Sequence, residues 1–474
     1  MEPNASTRAE QQLCQTILSS LPCSAPSTET LQIHGEPGGL PSVYAVGRLA
    51  TASTAAATLS VANLWAARNP SEAAPSITID RQHAAVAFRS ERYLRGRDSK
   101  LPQAWDPLAG DYRTRDGFIR LHTNYRTHRT AVLRVLGCPA DRAAIAKQVA
   151  RHTAAELEQA VVDAGGAAAA MRTIDAFRAS PEGQALYAEP LIASERRPGA
   201  ALNLSPATRP LAGVRILDLT RVIAGPLCTR FLAAHGADVL RIDPPGFEEV
   251  PLLLPEVTPG KRRASLDLKQ ASERQRFATL VAQAHVVVDG YRKGALDGLG
   301  LDEHFFSSIN PNLIRVSLNA YGHSGSWATR RGFDSLVQMS LGIAARTAQA
   351  MGSDKPGALP AQALDHASGY LLAATVANAL TGALAGQYCA SKLSLARTGK
   401  LLLDLGDDGD VHAPAHSEQQ IEHYLEVAET SFGRVERVRC VGEISGQRPH
   451  YEIPAGALGS HPAAFLDPPH STQC

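Results

Sequence analysis

Asp365 is the side chain with the most chemistry open to it. It stands in Ala363-Leu364-Asp365-His366-Ala367-Ser368-Gly369-Tyr370, at the head of a long apolar run. Two readings of that position compete. An aspartate at a helix start is commonly an N-cap, its oxygens accepting backbone N–H bonds. The same geometry also suits a nucleophile, because helix-start dipoles keep the carboxylate ionised while apolar neighbours strip its water and leave it able to attack a carbonyl. His366 is placed to orient the carboxylate or transfer a proton, although a local structural hydrogen bond asks less of it.

A second candidate lies earlier, in Thr220-Arg221-Val222-Ile223-Ala224-Gly225-Pro226. This turn joins a strand-like run to a helix-like one, and ligands of open α/β sheets sit beyond the carboxyl ends of the strands. It lacks GxGxxG, so its one glycine allows a single close approach rather than a dinucleotide fingerprint. Helix-start amides could hold an anion there; the plainer alternative is a tight connection with Arg221 in solvent. Positive charge gathers nearby in sequence at Arg241, Lys261-Arg262-Arg263 and Arg292-Lys293. A ligand with several phosphates needs such groups, whereas most charge runs are solvated faces. No GxSxG, HExxH or GxxxxGKS/T is present. His122 and His128 sit in an ambiguous strand-loop region and do not read as metal ligands, so no metal is expected. Cys228 follows the turn and could be a nucleophile, but a small buried thiol is the commoner role.

These groups must be held by elements, and the pattern beyond position 210 supplies them. Val214–Thr220, Ala237–Asp243, His285–Gly290 and Leu313–Leu318 are short apolar runs suited to strands buried on both faces. Helices are expected at Leu227–His235, opened by Pro226 and closed on Gly236, and near Ser272–Gln283. Strand-helix-strand at these spacings predicts an α/β fold with a mainly parallel sheet. Earlier, residues 1–40 read as a flexible leader after a short helix around Glu10–Ser20. Ser42–Ala67 and Ala154–Ala164 read as helices, Ser76–Asp80 and Gly117–His122 as strands, and Ser90–Asp106 as loop. The Pro-rich stretch at 196–210 reads as a linker. Beyond Gly399, strands are expected at Leu401–Leu405 and Arg434–Val441, ahead of a Pro-rich tail. The expected division is a leader at 1–40, an N-terminal unit at 41–195, a linker, a large unit at 211–398 and an extension at 399–474.

The totals narrow the partners. Lys and Arg number 47 against 46 Asp and Glu, so no global field recruits nucleic acid, and anionic ligands need a local patch. Hydrophobic residues make up 44% and charged residues 20%, as expected of a globular chain of more than one structural unit. Seven cysteines (Cys14, Cys23, Cys138, Cys228, Cys389, Cys440, Cys474) are scattered without a CxxC pair, which fits a reducing compartment. The opening MEPNASTRAEQQ lacks a secretory pattern, and the closing Ser-Thr-Gln-Cys is not a peroxisomal tripeptide, so a cytoplasmic location is expected. Tyr370–Gly386 is long enough to span a membrane, but it carries Thr375, Asn378, Thr381 and two glycines and reads as a buried helix.

Six ordered segments between Pro210 and Gly386 carry a resemblance: PLAGVRILDLTRVIAGPLCTRFLAAHGADVLRID, GKRRASLDL, VVVDGYRKGALDGLGL, INPNLIRVSLNAYGHSG, RGFDSLVQ and ALDHASGY. Together they resemble the large domain of the family III CoA-transferases, the CaiB/BaiF group. The resemblance implies a Rossmann-like, mainly parallel sheet in the large domain, a second smaller α/β domain, an interlocked homodimer and exchange of coenzyme A between an acyl-CoA and a free carboxylic acid. Asp365 matches the catalytic aspartate, which implies attack on the thioester carbonyl, a mixed anhydride and then an aspartyl-CoA thioester. Arg221, Val222, Ile223 and Ala224 match the turn that contacts CoA. Gly290, Tyr291 and Ala295 match the second contact segment, where the family more often has Asn-Phe for Gly-Tyr. Arg292 and Lys293 are phosphate contacts by charge, and Asn319 falls where some members place a lysine.

The order of segments departs from the simplest family pattern. Residues 42–195 resemble the portion that follows the large domain in ordinary members, so a longer subgroup with a family-like region in each half is the nearest match. The N-terminal unit has no matching aspartate motif and reads as a degenerate copy or as the half that covers the substrate. Racemases acting on α-methylacyl-CoA share the resemblance and use a histidine in a Gly-His-Asp context. Here that context is Gly332-Phe333-Asp334, so racemization would require His366 to substitute. A catalytically decayed scaffold subunit is the third reading.

Overall fold

The computed structural model describes residues 5–98, 101–102 and 105–466. The first four residues, Cys474 and the C-terminal Ser-Thr-Gln-Cys lie outside the described residues. Seven strands build the main sheet: β1 (Ala193–Pro198), β2 (Arg215–Leu219), β3 (Asp238–Asp243), β4 (Lys261–Ser265), β5 (Val286–Asp289), β6 (Ile314–Asn319) and β7 (Gln387–Ser394). They lie in the order β4-β3-β2-β5-β6-β7-β1. Every pairing is parallel except β7 with β1. The central strands are continuous apolar runs because helices cover both faces of the sheet. Strand order reverses between β2 and β5, and a crevice forms where their connections leave in opposite directions.

The helices that matter for the site are α1 (Ala5–Ser19), α2 (Val46–Arg68), α3 (Ala224–Ala234), α4 (Ala271–Gln283), α5 (Asp334–Ser340), α6 (Ala363–Leu384) and α7 (Leu395–Asp404). Almost every residue of α6 is buried, with α2 and α3 packed along it. Small side chains permit this. A Cβ on Gly369 would come within 2.7 Å of the Ala224 carbonyl oxygen, so α6 approaches α3 at backbone range. In α2 the buried hydroxyls of Ser53, Thr54, Thr58 and Ser60 donate to carbonyls one turn back, at 2.7–2.9 Å, and so bring no unpaired donor into the core. The apolar helix is therefore an internal one in this fold.

Four expectations are overturned. The leader is packed: Leu13, Cys14, Ile17 and Leu18 of α1 are buried, and Leu31–His34 pairs in parallel with Ile77–Asp80. Its apolar positions recur at helical spacing, and the polar residues between them hid that stripe. The stretch read as a linker begins inside β1, an edge strand on which Arg196 is exposed and Arg197 donates to the Pro311 and Leu313 carbonyls. Leu401–Leu405 is not a strand: residues 401–404 end α7, which buries Leu395 and Leu402. Short apolar runs fit either period, and length alone could not separate them. The stretch read as loop at Ser90–Asp106 also holds a short helix, Ser90–Tyr93.

The chain ends are interleaved rather than appended. Val435–Val438 pairs with Leu425–Ala428 and with Arg95–Gly96, while Glu443–Ile444 pairs with Ile77–Asp80. Residues before 94 and after 420 thus share a hydrophobic cluster with the helices of the main sheet. A separate small sheet, Gly110–Arg113, Phe118–Leu121 and Ala168–Ala170, keeps its own apolar cluster with the helices around it.

Candidate functional site

The turn after β2 is held from beneath by charge. Asp218 is fully buried and accepts from the Thr220 amide at 2.9 Å, Thr229 Oγ1 at 2.6 Å and Lys261 Nζ at 2.8 Å. Burial pulls Lys261 down to about 8, and Asp218, despite its burial, is held below its ordinary range mainly by Lys261 and Arg241. Gly225 lets α3 start against this strand end, since a Cβ there would lie 2.3 Å from Thr220 Cβ. Val222 has φ +68°, a conformation that a β-branched residue adopts only under constraint. Its N–H donates to Glu249 Oε2 at 3.1 Å, and Glu249 also accepts from Arg241 at 3.0 Å and from the Tyr125 hydroxyl at 3.1 Å. Glu249 therefore ties the strained turn to β3 and to the N-terminal part of the chain.

Arg221 is not a free solvent side chain. Its guanidinium carbon lies 4.0 Å from the Phe247 ring centroid and 5.1 Å from that of Tyr291, and it donates to the Tyr291 hydroxyl at 2.8 Å. The arginine fork is thus pre-set, and among the described residues no carboxylate pairs with it. Tyr291 comes from the turn after β5, so both turns at the reversal of strand order contribute to one place.

Asp365 sits at the start of α6, but it does not cap it. The amides of Leu364 and Asp365 donate to Asp334 Oδ2 at 2.8 and 3.1 Å, so a carboxylate from α5 caps this helix. The Asp365 side chain is 7% exposed. Burial, with the Asp334 and Glu91 carboxylates close by, pushes its pKa well above the ordinary aspartate value. The expectation that helix-start dipoles hold it ionised is corrected: Asp334 uses those amides, and burial beside two carboxylates favours the neutral acid. Nor does His366 serve it. His366 Nε2 pairs with Glu91 Oε2 at 2.9 Å, and its ring stacks on Phe88. Burial alone would raise Glu91, but the His366 charge and hydrogen bond outweigh it and leave Glu91 below its ordinary value.

Two cavities meet at Asp365. The larger, about 570 Å³, is lined by Arg221, Val222, Ala224, Gly290, Tyr291, Arg292, Ala295, Asn319 and Asp365. The smaller, about 190 Å³, has Ile223, Leu252, Leu253 and Trp105 in its wall and shares Tyr125, Val222, Phe333 and Asp365 with the larger. Lys293 is the exception among the expected residues: it lines neither cavity, and its ammonium donates to the His323 carbonyl at 3.3 Å. Asn319 faces the larger cavity but its amide closes a turn, with Nδ2 donating to the Gly322 carbonyl and Oδ1 accepting from the Gly322 amide.

Of the basic residues expected to meet phosphates, Arg241 and Lys261-Arg262-Arg263 are internal. Arg241 pairs with Asp243 and Glu249, Lys261 with Asp218, Arg262 with Asp238, and Arg263 donates to backbone carbonyls. Strand β3 lies inside the sheet and β4, at its edge, is buried except at Ser265, and a buried charge needs a partner. The cations that line the larger cavity are Arg221 and Arg292, both expected, with Arg126 and the adjacent Arg330 and Arg331, which the sequence reading did not single out. Burial and the nearby Arg292 lower Arg331, the mark of like charges drawn together. Burial also holds Cys228 well above the usual thiol range, which removes it as a nucleophile. His122 and His128 line the cavities as neutral rings, brought mainly by burial to about 3 and about 4. Among the described residues no group of three metal-capable side chains occurs.

Residues 211–399 match a family described as CoA-transferase family III. The probable fatty acyl-CoA transferase Rv3272 of Mycobacterium tuberculosis is 35% identical over 185 residues, covering 36% of this chain and 46% of that protein. The acetyl-coenzyme A transferase nodX of Hypoxylon pulicicidum is 39% identical over 152 residues, 31% of this chain and 26% of its own. A formyl-CoA:oxalate CoA-transferase of Escherichia coli O81 is 30% identical over 150 residues, 29% of this chain and 36% of its own. The chain spans less than half the length of these relatives.

Proposed function

We propose, from the match of residues 211–399 to a family described as CoA-transferase family III, that the protein moves CoA from an acyl-CoA thioester to a free carboxylic acid, with Asp365 as the acyl acceptor. The observation that carries this reading is the position of Asp365, which lies where an arginine-lined cavity meets an apolar one and makes no cap of its own helix. The nucleotide and pantetheine of CoA enter the larger cavity past Arg221, Arg292, Arg126 and Arg331, and the acyl carbonyl stops at the carboxylate. The Rossmann-like strand order supports the placement, because both ligand-facing turns leave the sheet at its reversal point.

The chemistry balances without a metal or redox partner. Asp365, once ionised, attacks the thioester carbonyl; the C–S bond breaks, CoA leaves as thiolate and a mixed anhydride remains. The thiolate then attacks the Asp365 carbonyl, releases the donor acid and leaves an aspartyl-CoA thioester. An acceptor carboxylate reverses the two steps on its own carbon. Val222, Val250 and Leu253 around the smaller cavity limit water, which would otherwise hydrolyse the anhydride. Tyr125, Arg126 and His128 come from the N-terminal part of the chain and wall the larger cavity, which favours a covering role for that part over an independent active site. The family's homodimer is carried as part of this proposal, to be read from the solution mass by light scattering.

Mass spectrometry after addition of an acyl-CoA tests the reading. An acyl or CoA adduct on the peptide containing Ala363–Tyr370, absent in Asp365→Ala, is the expected result. Solvent deuterium entering the α-carbon of the acyl group without CoA exchange would point to racemase chemistry instead. His366 gives that alternative no support, because its Nε2 is held by Glu91 and it lines neither cavity. Neither adduct nor exchange would leave a binding or scaffold subunit.

A further inference from the structure

We infer that the smaller chamber seats the acyl group and selects uncharged aliphatic chains of about four to six carbons. The inference rests on the transferase reading above and adds to it the substrate class. Position comes first. The chamber shares Tyr125, Val222, Phe333 and Asp365 with the larger cavity, so a thioester whose carbonyl meets Asp365 and whose CoA arm fills the larger space has this chamber left for its acyl chain.

The wall sets the class. Ile223, Val250, Leu253 and Val257 form a small apolar cluster apart from the main cores, with Val222 packed against it. The two carboxylates in the wall besides Asp365 already have partners: Glu91 is held by His366, and Asp334 by Gln338 and the α6 amides, while Ser335 Oγ and His122 Nδ1 have none among the described residues. Arg92 is drawn to Glu91 at 3.7 Å. The His122 ring lies flat on Phe333 with centroids 3.6 Å apart and presents a neutral face. A terminal carboxylate on the acyl chain would meet Glu91 and Asp334, two like charges in a dry site. Size sets the length: the chamber holds about 190 Å³, whereas a cavity of ~150 Å³ accommodates a benzene-sized guest.

Non-reactive S-alkyl-CoA thioethers, from ethyl to dodecyl, test this by calorimetric titration of the full chain. The expected dissociation constant falls about fourfold per methylene until the chain reaches about six carbons, and then levels or rises. A carboxypropyl thioether should bind at least about tenfold more weakly than the butyl one. Leu252→Trp, at a half-buried wall position, should move the break to shorter chains, and Leu252→Ala to longer ones. A flat series, tightening that continues past about eight carbons, or a break unmoved in both variants overturns the chamber. A break as expected in a protein that exchanges no CoA with butyryl- or hexanoyl-CoA overturns the transferase reading and leaves the chamber standing. Failure of every thioether to bind overturns both.

Discussion

At the scale of the residue, the role proposed for Asp365 and the stability of the fold work against each other. Burial among two other carboxylates raises Asp365 far above its unfolded value. The folded protein therefore holds a proton that the unfolded chain releases. The resulting stability is complete below the ordinary aspartate range and is lost as pH rises toward the folded value. Asp365→Asn removes the titration. It should abolish exchange and yet raise the melting temperature near neutral pH by about 1–3 °C, with the gain vanishing near pH ~4. Calorimetry of both proteins across that range decides it; a lower melting temperature at every pH would make Asp365 a stabilising polar group and not a strained one. The ALDHASGY segment made the residue visible in sequence. Its protonation was not visible, because Glu91 and Asp334 reach it only through the fold.

At the scale of the element, the N-terminus of α6 depends on α5. Asp334 accepts both helix amides and also contributes to the upward shift of Asp365. Asp334→Asn keeps an oxygen for the amides but removes the charge. The acidic limb of kcat/KM against pH, set by ionisation of Asp365, should therefore move to lower pH, at a stability cost of about 1 kcal/mol. A pH profile that stays in place would show that Asp334 acts on the helix alone. The turns after β2 and β5 were legible, because short apolar runs ending in turn residues locate strand ends well. The partners of β3 and β4 were not. Arg241 and Lys261 look like surface charge in a linear reading, and only the sheet order puts them against Asp243, Glu249 and Asp218.

At the scale of the whole molecule, the two ends of the chain complete a fold whose middle carries the site. Helix α1 is anchored by an ion pair in which Arg81 donates to both oxygens of Glu10 at 2.9 Å, with both side chains buried. Glu10→Ala leaves Arg81 uncompensated and should cost about 3 kcal/mol in urea unfolding. The adduct on Asp365 should still form in the folded fraction. A cost near zero would return residues 5–19 to the status of a loose leader.

Local pattern and residue chemistry determined much of this: a mainly parallel sheet, the two turns at its strand ends, one aspartate at the head of an apolar helix, and the resemblance those segments carry together. Such features are written within a few residues of one another, where periodicity and turn chemistry act. Tertiary structure alone decided which charges face the cavity, what caps α6, whether Asp365 holds its proton and how much room lies beside it. Each of those depends on burial and on groups far apart in the chain, and neither has any expression in sequence until the chain is packed.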